Sequence, residues 1–224
     1  MEPIVFYDIP ANNDKCMAWS PNTWKIRYVL NYKCLKYRTE CVEYPDIEDL
    51  CRAIGAPPTD TKPDGRAHYT LPVIQDPNTK AVIADSDAIA KYFEETYPHA
   101  PPLFPNGTRA FQYAFCLPQE YYKRTREQAF GKTLEEIPSQ NDWTALERGL
   151  ETVRDCLDAN GEGRDTLLMG EKITWADFQL ASLLVWLRVA TGQDSEHWAK
   201  LLELHGGKWG RFMQQFEKYE SVDI

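Results

Sequence analysis

No C-x-x-C pair occurs in this 224-residue sequence, and its six cysteines, Cys16, Cys34, Cys41, Cys51, Cys116 and Cys156, do not fall at metal-ligand spacing with the four histidines. A structural metal is therefore not expected, and reduced thiols in a cytoplasmic protein are. Positive charge is scarce as well. The 25 Lys and Arg stand against 34 Asp and Glu, a net charge of −9, which argues against nucleic acid as a partner. Long apolar runs are missing: the stretch around Phe178 to Val189 is broken by Gln179, Ser182 and Arg188, so no membrane span is expected. Met1 to Pro10 holds Glu2 and Asp8 but no Lys or Arg, unlike a secretory leader. With 43% hydrophobic and 26% charged residues, the chain reads as globular, in one or two domains.

What the first half does contain is alternation. Ile4 to Ile9 reads as a strand, Pro21 to Lys33 as a helix through Trp24, Tyr28 and Tyr32, and Tyr37 to Tyr44 as a second strand. Asp46 opens a short helix that Gly55 and Pro57-Pro58 stop, and Thr59 to His68 reads as a polar loop. Leu71 to Gln75 and Ala81 to Ala84 form a hairpin across Asp76-Pro77-Asn78, followed by a helix from Ser86 to Tyr97. The order is β-α-β-α-β-β-α, with the last strand pair antiparallel.

Four prolines between Pro98 and Pro105 rule out a continuous helix there. Beyond them strand patterns almost vanish. Helical periodicity covers 108–130, 143–159, 174–191, 195–204 and 208–216, predicting an α/β domain over residues 1–98 and an all-helical domain over 106–224. Ile173-Thr174-Trp175-Ala176-Asp177-Phe178 has the form of a capping box with a hydrophobic staple, a structural device. The helix it opens is apolar on nearly every side and is expected at the centre of its domain.

Three short segments leave donors that an anion can use. Ser20-Pro21 opens the first helix, where the Ser20 hydroxyl would stand with the amides of Asn22 and Thr23. A nucleophilic serine would need a base, yet no G-x-S-x-G turn is present and no histidine is near in sequence. A neutral hydroxyl donating to a thiolate is the preferred reading, beside that of a plain helix cap. Leu71-Pro72-Val73 places a proline in a strand, where it cannot donate to the ladder. With a cis bond before Pro72, Val73 would offer its N–H and C=O to an extended peptide; a trans edge proline is the ordinary alternative. Asp85-Ser86 opens a helix whose cap, Ser86, would leave two or three amides for a carboxylate, while Asp85 accepts from an α-ammonium group. A peptide carrying both charges and a thiol fits all three.

Together these segments, the β-α-β-α-β-β-α order and the Thr174 to Asp177 box resemble the glutathione transferase family over essentially the whole chain. Trp19-Ser20-Pro21-Asn22-Thr23-Trp24-Lys25 is similar to the fungal Fua class, whose members resemble bacterial β-etherases. The resemblance implies a thioredoxin-like first domain, glutathione as cosubstrate with no metal, a homodimer, and Ser20 as the residue that stabilises the thiolate. It assigns Val73 to the cysteinyl part of glutathione, and Asp85 and Ser86 to its γ-glutamyl part. For the glycine carboxylate His68 is the first choice, with Lys62 or Arg66 as alternatives. The electrophile pocket is expected between Trp19 and the first helix of the second domain, which carries Tyr113, Phe115, Tyr121 and Tyr122. Serine before Pro21 argues against glutathionyl-cysteine exchange, although Cys16 lies four residues upstream in the same loop. The implied activity is conjugation of glutathione to aromatic electrophiles, with peroxidase, ether-cleaving and phenolic-binding activities as extensions. A non-catalytic ligand-binding protein and a regulatory scaffold are the alternatives.

Overall fold

The computed structural model describes residues 1–11, 18–105, 107–114 and 140–222. Its first half runs β1 (Ile4–Asp8), α1 (Pro21–Tyr32), β2 (Tyr37–Cys41), α2 (Ile47–Ile54), β3 (Asp60–Thr61), β4 (Ala67–His68), β5 (Val73–Asp76), β6 (Ala81–Ala84) and α3 (Ser86–Thr96). β2 stops short of its predicted end because a 3-10 turn takes over at Tyr44–Asp46, where Pro45 has no N–H for a ladder. β3 and β4 pair as a small hairpin within the expected polar loop; two-residue strands are too short to leave a periodic signal.

The main sheet has the order β2-β1-β5-β6, with β1 and β2 parallel and the other pairs antiparallel. This mixed sheet is the thioredoxin-like arrangement. Beyond the prolines come helical residues 109–114, then α4 (Gln140–Asp158), α5 (Trp175–Thr191) and α6 (Glu196–Gln214). The rest of the helix predicted over 108–130 lies outside the described residues. α6 is kinked where the sequence separates two helical stretches: Leu204, His205, Gly206 and Gly207 leave helical dihedrals. Gly206 and Gly207, at φ 68° and 76°, adopt the left-handed conformation that glycine tolerates without a Cβ clash.

α1 joins the two halves into one core. Every residue from Thr23 to Asn31 is buried, because the sheet covers one face and the helical half covers the other. Tyr28 stacks on Phe178 of α5 with ring centroids 6.0 Å apart, while the Arg27 guanidinium lies 5.3 Å from the Phe6 ring of β1. Arg27 also forms an ion pair with Asp8 at 2.6 Å, both side chains fully buried. Burial pushes the Asp8 carboxyl up from its ordinary pKa, against the pull of Arg27.

The proline-rich connection is pinned rather than loose. Glu94 of α3 takes the Lys33 ammonium at 3.0 Å and accepts from the Leu103 and Phe104 amides, while Lys33 also donates to the Pro101 carbonyl at 3.0 Å. One cysteine departs from expectation. Cys41 is disulfide-bonded, whereas Cys34, Cys51 and Cys156 are free. The fold decides which sulfurs meet, and cysteine spacing along the sequence does not encode it. No described helix is long and apolar enough to cross a membrane.

Candidate functional site

The strand register brings the three segments together. β5 lies between β1 and β6, with Tyr7 opposite Val73 on one side and Ala84 opposite Val73 on the other. Asp85 therefore follows directly beside Pro72, and its amide donates to the Pro72 carbonyl at 3.3 Å. On the other flank the Trp19 amide donates to the Ile9 carbonyl at 2.9 Å. Ile9, Leu71, Val73 and Ala84 share one apolar cluster on which Trp19 packs, so Ser20 starts its helix beside the loop that holds Pro72. The Leu71–Pro72 peptide bond is cis.

Ser20 is the N-cap of α1, and its Oγ accepts the Asn22 amide at 3.2 Å. That amide is thus already used, a correction to the expectation that Asn22 leaves it free. A hydroxyl has one proton and two acceptor lone pairs, so a capping Ser20 keeps its proton to donate. Thr23 and Trp24 hold the Ser20 carbonyl at 2.9 and 3.1 Å. Among the described residues no histidine or carboxylate is hydrogen-bonded to Ser20, an arrangement of a donor without a base.

Val73 also differs from its expected role. As a residue of a strand flanked on both sides and fully buried, it has no open edge to offer. The unpaired main chain lies on the other side of Pro72: among the described residues neither the N–H nor the C=O of Leu71 makes a hydrogen bond. The proline marked this place in the sequence, but only the register decides which neighbour is left over.

At α3 the cap is Asp85 rather than Ser86. Asp85 Oδ1 accepts the amides of Asp87 and Ala88 at 2.9 and 3.0 Å, which removes them from the supply predicted for a carboxylate. Ser86 is the first helical residue, buried, and its amide makes no hydrogen bond among the described residues. Asp85 itself is exposed at φ 81° and ψ 134°, a backbone region that a residue with a Cβ occupies only when its surroundings enforce it.

Of the three candidates for a glycine carboxylate, Lys62 pairs with Glu48 and Arg66 with Asp64, each at 2.7 Å. His68, exposed on β4, has no side-chain hydrogen bond among the described residues. Trp19 meets an aromatic that the sequence placed only in a buried helix: Trp186 of α5 lies edge-on to it with centroids 6.5 Å apart. The signal was present in the register of α5, whose later residues Leu183, Trp186 and Leu187 are half-buried at helical spacing. Tyr113 is 48% exposed on the helical segment 109–114, whereas Phe115, Tyr121, Tyr122 and Cys16 lie outside the described residues. Among the described residues no group of three His, Cys, Asp or Glu side chains is placed to hold a metal. A separate cleft of about 450 Å³, lined by Arg188, Trp198, Arg211 and Glu220 among others, contains none of these site residues.

A mixed thioredoxin-like sheet is joined to a helical domain, with an open main-chain segment between two helix starts. Comparison with known proteins gives its family. Residues 19–96 match the glutathione S-transferase N-terminal domain and residues 86–219 the C-terminal domain. The chain belongs to the glutathione S-transferase family. Over 100% of both chains it is 61% identical to glutathione transferase GSTFuA3 from Phanerochaete chrysosporium, with a TM-score of 0.91. It is 38% identical to a glutathione S-transferase of Ceriporiopsis subvermispora crystallised in complex with glutathione, covering 99% of each chain with a TM-score of 0.87. The glutathione S-transferase-like protein ustS of Aspergillus flavus is 31% identical over 92% of this chain and 87% of its own.

Proposed function

We propose that this chain is a serine-type glutathione transferase, which binds glutathione and transfers its sulfur to aromatic electrophiles. The observation that carries the reading is the neutral Ser20 cap, proton to spare, beside the open Leu71 main chain and the Asp85–Ser86 helix start. A free thiol has a pKa of about 8.5, and one hydrogen bond to a charged group contributes roughly 1.5–3 kcal/mol, equivalent to about one to two pKa units. A single hydroxyl at the positive end of α1 therefore suffices to make the thiolate the main species near neutral pH.

In this reading the cysteinyl backbone pairs with Leu71 as an added strand, with Val73 behind it in the sheet. The glutamyl ammonium approaches the Asp85 oxygen that the cap does not use, and the glutamyl carboxylate takes the Ser86 amide and hydroxyl. His68 receives the glycine carboxylate, since its two rivals are already paired. The acceptor packs against the edge-on pair of Trp19 and Trp186, with Tyr113, Phe115, Tyr121 and Tyr122 as further aromatic lining. Conjugation is the primary reaction; peroxide reduction and ether cleavage require the same thiolate. The chain works as a cytoplasmic homodimer.

Ser20→Ala tests the reading. The ultraviolet absorbance of bound thiolate, titrated against pH, should move up by about one to two units, with conjugation at neutral pH falling about 10- to 100-fold. Unchanged thiolate absorbance and rate in Ser20→Ala would rule out the donor role. Retained aromatic-ligand affinity in a wild-type chain that forms no thiolate would assign a binding protein instead.

A further inference from the structure

One side chain ties the start of α3 to the helical half. Asp87, the second residue of α3, accepts from the indole N–H of Trp175 at 2.8 Å and from the Gln179 side-chain amide at 3.4 Å. Trp175 is fully buried at the first position of α5, and it is not free to follow α3. Its backbone amide is held by the Leu103 carbonyl at 3.0 Å, and the next amide, that of Ala176, by Gln112 Oε1 at 3.0 Å. Behind it Asp177 takes the Thr174 amide and hydroxyl and the Leu168 amide, at 2.8, 2.7 and 2.7 Å. The Asp87 carboxylate thus rests on a donor whose place is fixed by its own surroundings. In the other direction the Asp87 amide donates to Asp85, the residue held at positive φ, a conformation that persists only where neighbouring contacts enforce it.

We propose that Asp87 is a positioning residue for the glutamyl end of glutathione: by anchoring the first turn of α3 to the Trp175 indole, it holds the Asp85 carboxylate and the open Ser86 amide in binding geometry. This rests on the glutathione reading above. The side chain acts through its neighbours, so its effect belongs to peptide affinity and not to the thiolate.

The test is calorimetric titration of the full chain with reduced glutathione and, separately, with S-methylglutathione, which lacks the thiol. Asp87→Leu is expected to weaken both ligands about tenfold. Asp87→Asn, which keeps an oxygen for the indole, should stay within about twofold of wild type, and Trp175→Phe, which removes the indole N–H together with part of the buried ring, should weaken both ligands at least as much as Asp87→Leu. If Asp87→Leu does not fold, Trp175→Phe carries the same comparison. Unchanged affinity in Asp87→Leu or Trp175→Phe overturns the assignment, and so does an Asp87→Asn variant as weak as the leucine one. A loss confined to reduced glutathione also overturns it, because that places the effect at the sulfur. A wild-type chain that takes up neither ligand overturns the transferase reading and this assignment together.

Discussion

At the start of α1 the cap is a neutral hydroxyl in ordinary extended backbone, φ −81° and ψ 134°, holding one amide at 3.2 Å. At the start of α3 it is a carboxylate at φ 81°, holding two amides at 2.9 and 3.0 Å. The first cap keeps a proton that an anion can accept, and the second keeps an oxygen that a cation can approach. Their supports differ in the same way. α1 is bound to the end of β1 by the buried Arg27–Asp8 pair, whereas α3 is tied to α5 by neutral donors. In the proposed reading one helix start holds the peptide and the other activates its sulfur.

The comparison breaks most severely at Arg27. Arg27→Met leaves Asp8 buried without its partner, and chemical denaturation should show a loss of about 3–5 kcal/mol. The exposed Arg52–Glu48 pair is the control, since Arg52→Ala should cost less than about 1 kcal/mol. A loss that small at Arg27 would mean that α1 does not depend on the pair.

The support behind α3 should depend on pH. Burial raises the Asp177 pKa from 3.8 to about 6, against hydrogen bonds from Leu168 and Thr174. Because the folded state binds this proton more tightly than the unfolded chain, the contribution is complete below about pH 4 and is lost as pH rises through about 6. Measured against Asp177→Asn to cancel all other groups, the stability advantage of wild type should therefore shrink between about pH 4 and pH 7, by on the order of 2 kcal/mol. A difference that is flat with pH, or that grows, would show that the amide donors keep this carboxylate ionised.

A smaller loss than at Arg27 is expected at Asp85. Asp85→Ala removes the cap and leaves a Cβ at positive φ, a loss of about 1–2 kcal/mol in thermal or urea unfolding. Asp85→Gly should lose less, because glycine takes that φ freely, while both should weaken glutathione binding. Equal losses in the two variants would show that the backbone there is not strained.

How far the sequence reaches can be judged at these same residues. Local rules placed the starts and ends of helices: Ser20-Pro21 opens α1, Gly55 closes α2 at φ 74°, and Thr174 with Asp177 caps α5. Such signals lie within one turn of the backbone they control, so neighbouring residue types carry them. They marked the segments of the candidate site too, down to the proline that interrupts the strand pattern.

What those segments present was decided elsewhere. Whether the open main chain belongs to Val73 or Leu71 depends on strands that flank β5 from 65 residues before and within ten residues after it, and their register is set by side-chain packing across the sheet. Whether Asn22 or Ser86 keeps a free amide depends on which neighbouring side chain reaches it first. The meetings of Asp87 with Trp175 and of Trp19 with Trp186 join residues far apart along the chain. Sequence alone determined the order of the elements and the places where donors accumulate. Tertiary structure decided which donors remain unused, because a hydrogen bond made across the fold removes a group that local sequence shows as available.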